Sequence, residues 1–178
     1  SKITMQVISR NSLLAIIFVL IVGTFVFPTP IHISQSDHVT HAAKVYDHKQ
    51  VSCLAKNMLY EAGNQTDKGK LAVAAVTVNR TNTQGFPSSI CEVVYHKVAG
   101  KCQFSWTCMK LPKTDKDAYD KTYALARDFY HRTIDSPIKN DVIYYHASYL
   151  KNKDVRWFKR SLIQVATIGD HVFYRSKG

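Results

Sequence analysis

The chain opens on an unbroken apolar run, Leu13 to Phe27 (LLAIIFVLIVGTFVF), with Lys2 and Arg10 ahead of it. A basic end before an apolar run is the layout of an export signal whose positive residues stay in the cytoplasm. Its fifteen residues reach ~22 Å as a helix, short of a ~30 Å hydrocarbon core. Continuing through Pro28, Pro30 and Ile33 makes a span feasible. Small residues suited to cleavage do not follow the run, and the passable site, Thr40-His41-Ala42, lies far downstream. Residues 13–33 are therefore expected to form an uncleaved transmembrane signal anchor, with residues 1–12 as its cytoplasmic basic end. Residues 34–49 are polar, rich in Ser, Thr and His, and show no periodicity, so a polar linker is expected there.

Periodicity begins at Val51. Apolar residues at 51, 54, 55, 58, 59 and 62 form a helical stripe, and Gly63 is a suitable stop, which puts Glu61 in the last turn. Thr66 or Asp67 can cap a second helix, Lys68 to about Arg80, whose LAVAAVTV centre is apolar nearly all round, as in a central buried helix. Phe86-Pro87-Ser88-Ser89 leads into a short helix to about His96, and Gly100 to Met109 reads as a cysteine-bounded loop. A third long helix is expected from Asp115 to about Arg132, with Ala118, Thr122, Leu125, Ala126 and Phe129 on one face. Strands are expected at Val142–Ala147, Leu162–Ile168 and His171–Arg175, with Gly169-Asp170 as the turn between the last two. Helices first and strands late make residues 50–178 one α+β domain.

Charge changes the picture in one respect. The chain carries 24 Lys+Arg against 13 Asp+Glu, and setting aside Lys2, Arg10 and Asp37 leaves 22 against 12, so the excess belongs to the domain. A field of that sign attracts a polyanion: nucleic acid, anionic lipid or bacterial wall polymer. Export counts against nucleic acid as the partner. Cys53, Cys91, Cys102 and Cys108 show no Cys-x-x-Cys pair and no zinc-finger histidine spacing. In an exported domain they read as two disulfides, with three possible connectivities, rather than four reduced core thiols.

The domain has two glutamates, Glu61 and Glu92. Glycosidic cleavage needs a carboxyl that stays protonated near neutral pH against the bridging oxygen. At a helix C-terminus, flanked by Tyr60 and the apolar stripe, Glu61 meets two conditions that raise proton affinity. Taken alone the position says little, since most such glutamates are plain surface residues. The surrounding pattern is more specific. Tyr-Glu-Ala, Val-Asn-Arg, Phe-Pro-x-x-Ile-Cys-x-Val-Val-Tyr, Cys-Gln-Phe-Ser-Trp and Gly-x-His-x-Phe-Tyr follow one another from about Cys53 to Tyr174. In this ordered set the chain resembles the SleB-like cell-wall hydrolases, the family of spore-cortex-lytic enzymes and related phage and bacterial proteins. The resemblance implies a lysozyme-like fold, attack on the MurNAc–GlcNAc backbone of peptidoglycan, and Glu61 at the catalytic position. Family members commonly read Glu-Ala-Arg-Gly-Glu where this chain has Glu61-Ala62-Gly63-Asn64-Gln65, so the family's arginine and second glutamate are Gly63 and Gln65.

Both common glycosidase routes use two carboxylates, ~5–5.5 Å or ~6.5–9.5 Å apart. No second acid lies in a matching motif, which favours a lytic transglycosylase, where one glutamate suffices. Asp67, otherwise a helix cap, could instead position water for lysozyme-type hydrolysis. Gln103, Ser105 and Trp106 are candidate substrate-binding residues, Trp106 by stacking on a sugar face and the polar pair by bonding an N-acetyl group. Tyr144 and His146 share one strand face opposite Tyr145 and are candidates too. Core packing is the plainer reading of Trp106, Tyr144 and His146, and of His171; Asn79 and Arg80 are expected to pack and hydrogen-bond. No cofactor or metal is expected, since the domain lacks the His-x-x-x-His pairs of a zinc amidase. A catalytically inactive, membrane-anchored wall-binding or virion structural protein is the alternative of a different class. The expected species is a monomer with peptidoglycan as partner, its domain outside the cytoplasmic membrane.

Overall fold

The computed structural model describes the backbone of residues 35–151 and 153–178 and the side chains of 43–151 and 155–178. The expected anchor, residues 13–33, lies outside the described residues. Among those described, no helix is long and apolar enough to cross a membrane.

Helix α1 runs Gln35–Ala62, so residues expected to form a linker are helical. The reason is tertiary. Tyr130 Oη donates to Asp47 Oδ1 at 2.8 Å, His48 packs against the Tyr123 ring, and buried Gln50 accepts from the Cys91 N–H at 3.0 Å. These polar side chains hold the turn at residues 47–50, ahead of the apolar stripe, against a tyrosine-rich partner. Beyond them Val51, Leu54, Ala55, Met58 and Ala62 are buried, as the periodicity predicts.

Helix α2 (Asp67–Thr81) starts at Thr66, whose hydroxyl accepts from the Gly69 N–H, and is buried from Leu71 through Thr77. It has to be apolar on all sides because both flanks are covered. Ala74 packs into the cluster formed with α1, the short α3 (Ile90–Val94), Phe104, Trp106 and Ala126. Ala72 and Val76 pack on the other side against Val142 and Phe173 of the sheet. A two-residue hairpin, β1 (Lys97–Val98) and β2 (Lys101–Cys102), turns through Ala99 and Gly100, both at positive φ, into a 3₁₀ turn at Ser105–Cys108. Helix α4 (Lys116–Tyr130) is capped by Asp115 and buries Thr122 and Ala126, four residues apart on one face.

The antiparallel sheet has the order β3-β5-β4, formed by β3 (Val142–Ala147), β4 (Leu162–Ile168) and β5 (His171–Ser176). Between β3 and β4 lies an unforeseen helix, α5 (Lys153–Ser161). Its signal is the short spacing Val155, Phe158, Leu162, within a charged segment. Disulfides join Cys53 to Cys91, tying α1 to α3, and Cys102 to Cys108, closing the loop around Ser105.

Two polar devices fix α2 to its neighbours. Asn79 Nδ2 donates to the carbonyls of Lys139 and Val142, both at 2.9 Å, and Arg80 Nε donates to the Ile143 carbonyl at 2.9 Å, setting where β3 begins. Deeper in, Asn57 Nδ2 donates to Thr77 Oγ1 at 3.0 Å and Asn57 Oδ1 accepts from the Trp106 indole N–H at 2.9 Å. A fully buried amide with both ends satisfied links α1, α2 and the disulfide-closed loop.

Candidate active site

The site grows from the end of α1. Glu61 sits one residue before the helix terminus, where outward-facing carbonyls disfavour a negative charge. Across from it, Tyr145 of β3 donates its hydroxyl to Glu61 Oε2 at 2.9 Å. Burial raises the Glu61 pKa above the ordinary 4.5; the Tyr145 bond and the charge of Arg80 oppose the rise without cancelling it. Burial lifts the Tyr145 hydroxyl well above its usual range, with the neighbouring Glu61 adding to the effect, so Tyr145 keeps its proton and donates. Arg80 is buried between the rings of Phe86 and Phe104, at 5.2 and 5.3 Å from their centroids. The arrangement is a carboxyl whose proton affinity burial raises, fixed in direction by a phenol.

Glu61 opens onto a cleft of about 600 Å³. Its lining comes from Tyr60 and Glu61 of α1, the Cys102–Trp106 loop, Tyr145, His146 and Ala147 of β3, and Tyr149, Leu150 and Phe158. Tyr149 is 74% exposed, and with Met109 and Leu150 it gives the rim an apolar, partly aromatic surface. Hollows of about 640 and 770 Å³ lie elsewhere, but their carboxylates, Asp135 and Asp141, are exposed. Chemistry rather than volume marks the Glu61 cleft.

The cleft brings together some of the sequence candidates. Gln103 and Ser105 line it as exposed side chains. Trp106 lines it from inside: it is 8% exposed, Tyr60 stacks on it at 4.7 Å, and Asn57 takes its N–H. His146 lines the cleft as a buried side chain. Its Nδ1 donates to the Ala147 carbonyl at 2.9 Å, since a carbonyl can only accept, and its Nε2 shares a 2.9 Å hydrogen bond with the Tyr174 hydroxyl. Tyr144 is not in the cleft; it packs edge-on against Trp157 and Phe158 of α5. The alternation that pairs Tyr144 with His146 holds, as both meet Phe158, but the face reaching Glu61 is that of Tyr145. Asp67 pairs with Lys70 on the surface, outside the cleft. Tyr145 and the charge of Arg80 are not among the sequence candidates, and Tyr60 enters there only as a flank of Glu61. The aromatic flanking Glu61 in Tyr-Glu-Ala and the arginine closing Val-Asn-Arg were the available signals. Among the described residues, no group of three or more His, Cys, Asp or Glu side chains is placed to hold a metal ion.

The profile of the Cell Wall Hydrolase family matches residues 64–174, well over half of the chain. This protein belongs to the cell wall hydrolase family. Membership makes peptidoglycan its substrate class and wall degradation its activity, and Glu61 lies just ahead of the matched segment. Two solved structures share the fold of helices around a small sheet. The catalytic domain of Bacillus cereus SleB aligns with a TM-score of 0.50 at 21% identity, covering 71% of this chain and 89% of that one. The catalytic domain of the germination-specific lytic transglycosylase SleB from Bacillus anthracis aligns with a TM-score of 0.50 at 22% identity, covering 71% and 93%. No curated protein matches the sequence. In this cell wall hydrolase, the positions that depart from the Glu-Ala-Arg-Gly-Glu pattern have definite surroundings. A Cβ on Gly63 would collide with the Leu59 carbonyl, and Gln65 bonds to Asp170.

Proposed function

We propose that this cell wall hydrolase cleaves the MurNAc–GlcNAc glycan strand as a lytic transglycosylase, with Glu61 as its one acid/base. The observation that carries the reading is that Glu61, desolvated and bonded to Tyr145, is the sole carboxylate among the described residues lining the cleft. Protonated Glu61 gives its hydrogen to the bridging oxygen, the C1–O bond breaks, and positive charge develops at C1 of the MurNAc ring. Glu61, now a carboxylate, takes the proton of that sugar's own 6-hydroxyl as O6 closes on C1. The product is a 1,6-anhydro ring, Glu61 is protonated again, and no water is consumed. A two-carboxylate route would need a second acid within ~9.5 Å, and Asp67 faces solvent beside Lys70. Gln103 and Ser105, exposed in the cleft, would bond N-acetyl groups, and the apolar rim would meet sugar faces. Residues 13–33 would tether the domain on the outer side of the cytoplasmic membrane, a compartment in which its disulfides persist.

Digestion of purified peptidoglycan tests this. Glu61→Gln is expected to cut muropeptide release by roughly 10²–10⁴-fold while sparing wall binding, and wild-type products are expected to carry anhydro ends by mass spectrometry. Equal release by the two proteins would refute the role of Glu61, and reducing ends would refute transglycosylation.

A further inference from the structure

The turn between β4 and β5 is tied to the end of α1 by one side chain. Gln65 Nε2 donates to Asp170 Oδ2 at 2.8 Å, and Gln65 Oε1 accepts from the Asp170 N–H at 3.0 Å. An amide can do both; a carboxylate at position 65 could only accept and would confront the Asp170 carboxylate. The turn is shaped for this contact. Gly169 sits at φ +56°, and a Cβ there would run into Gln65 Oε1. From Asp170 the connection continues toward the cleft. The Asp170 carbonyl accepts from the Ser148 N–H at 2.7 Å, just past the end of β3. The next residue, His171, is paired with Ala147 and sets its buried ring edge-on to Tyr145, with centroids 5.1 Å apart. Tyr145 is the group that bonds Glu61.

We infer that Gln65 is a positioning residue: its paired bonds clasp the β4–β5 turn to the end of α1 and so hold His171 and Tyr145 against the Glu61 carboxyl. The inference rests on the reading of Glu61 given above. Glu61 and Gln65 lie four residues apart, on the two sides of the helix stop, while Tyr145 and Asp170 come from the sheet. Catalysis needs those two bodies in fixed register, and a misplacement of about 1 Å can cost a hundredfold in rate. The clasp supplies the register at the site itself, whereas the Asn79 and Arg80 bonds act at the opposite end of β3.

Steady-state kinetics on soluble glycan strands test it. Gln65→Glu should lower kcat on the order of tenfold with little change in KM, because Gln65 does not line the cleft. Asp170→Asn in the same chain restores a donor opposite the new carboxylate and should return kcat to within about twofold of wild type. Gln65→Ala, which removes both bonds without repulsion, should show the same kcat loss and keeps the test intact if Gln65→Glu does not fold. Wild-type kcat in Gln65→Ala, or a Gln65→Glu defect that Asp170→Asn leaves in place, overturns the inference. Hydrogen exchange at the Asp170 amide reads the clasp without catalysis: it should quicken in Gln65→Ala, and unchanged exchange also overturns it. A wild-type protein that releases no muropeptides would refute the Glu61 reading instead, leaving the amide exchange to decide the clasp.

Discussion

Glu61 is pulled two ways, toward protonation by burial and toward ionisation by Tyr145 and Arg80, and burial is the larger influence. Two consequences follow at this scale. In the proposed mechanism the working form is the protonated one, so activity should fall as pH rises through the elevated Glu61 pKa. Tyr145→Phe removes a bond that favours the carboxylate, so the alkaline limb of the kcat/KM profile should move to higher pH while the maximum rate drops; a limb that stays put or moves down would contradict the assignment. Stability carries the opposite mark of the same shift. A pKa raised from 4.5 in the folded state means the folded protein binds the Glu61 proton more tightly than the unfolded chain. The associated stabilisation is present below about 4.5 and is lost as pH rises through the folded value. Glu61→Gln should therefore melt above wild type at neutral pH, with the gap closing in acid. The sequence placed this residue well because a stripe and a stop glycine define a helix end. It could not place Tyr145. Strand alternation separates Tyr145 from Tyr144 and His146, but β3 is covered on both faces, by the core clusters on one and by α5 on the other, so no polar face betrays which side meets the site.

Among the elements, α2 decides the arrangement, and its all-round apolarity made it legible as the central helix. The strands were legible as well, since period-two runs with a Gly-Asp turn leave little choice. The first part of α1 and α5 were not. One is held at residues 47 and 48 by polar contacts to α4, and the other sets only Val155 and Phe158 at helical spacing inside a charged segment. The buried amide of Asn57 joins three elements, and its loss should be felt as stability. Asn57→Leu strands the Trp106 N–H and should cost about 1–3 kcal/mol, read as a lower urea midpoint. Adding Trp106→Phe removes the stranded donor and should recover part of the loss; an unchanged midpoint in Asn57→Leu would show that the network contributes nothing.

On the scale of the whole molecule, the domain carries a net positive charge, which favours an anionic partner, and two disulfides cross-link it. The Cys53–Cys91 bridge spans 38 residues of sequence, including all of α2, for which loop-closure entropy gives about 4 kcal/mol. Replacing both cysteines by Ala should lower the melting temperature markedly, and more than the same change at Cys102 and Cys108, which are six residues apart. Equal losses would contradict a role for loop length. The central claim, a carboxyl whose proton affinity is raised by burial at the end of α1, can be read directly. Only two glutamates occur in the sequence, so a chain carrying ¹³C at the glutamate side-chain carboxyl gives two resonances, and Glu61→Gln identifies one by removing it. That resonance should titrate above 4.5; a midpoint at or below that value would contradict the account.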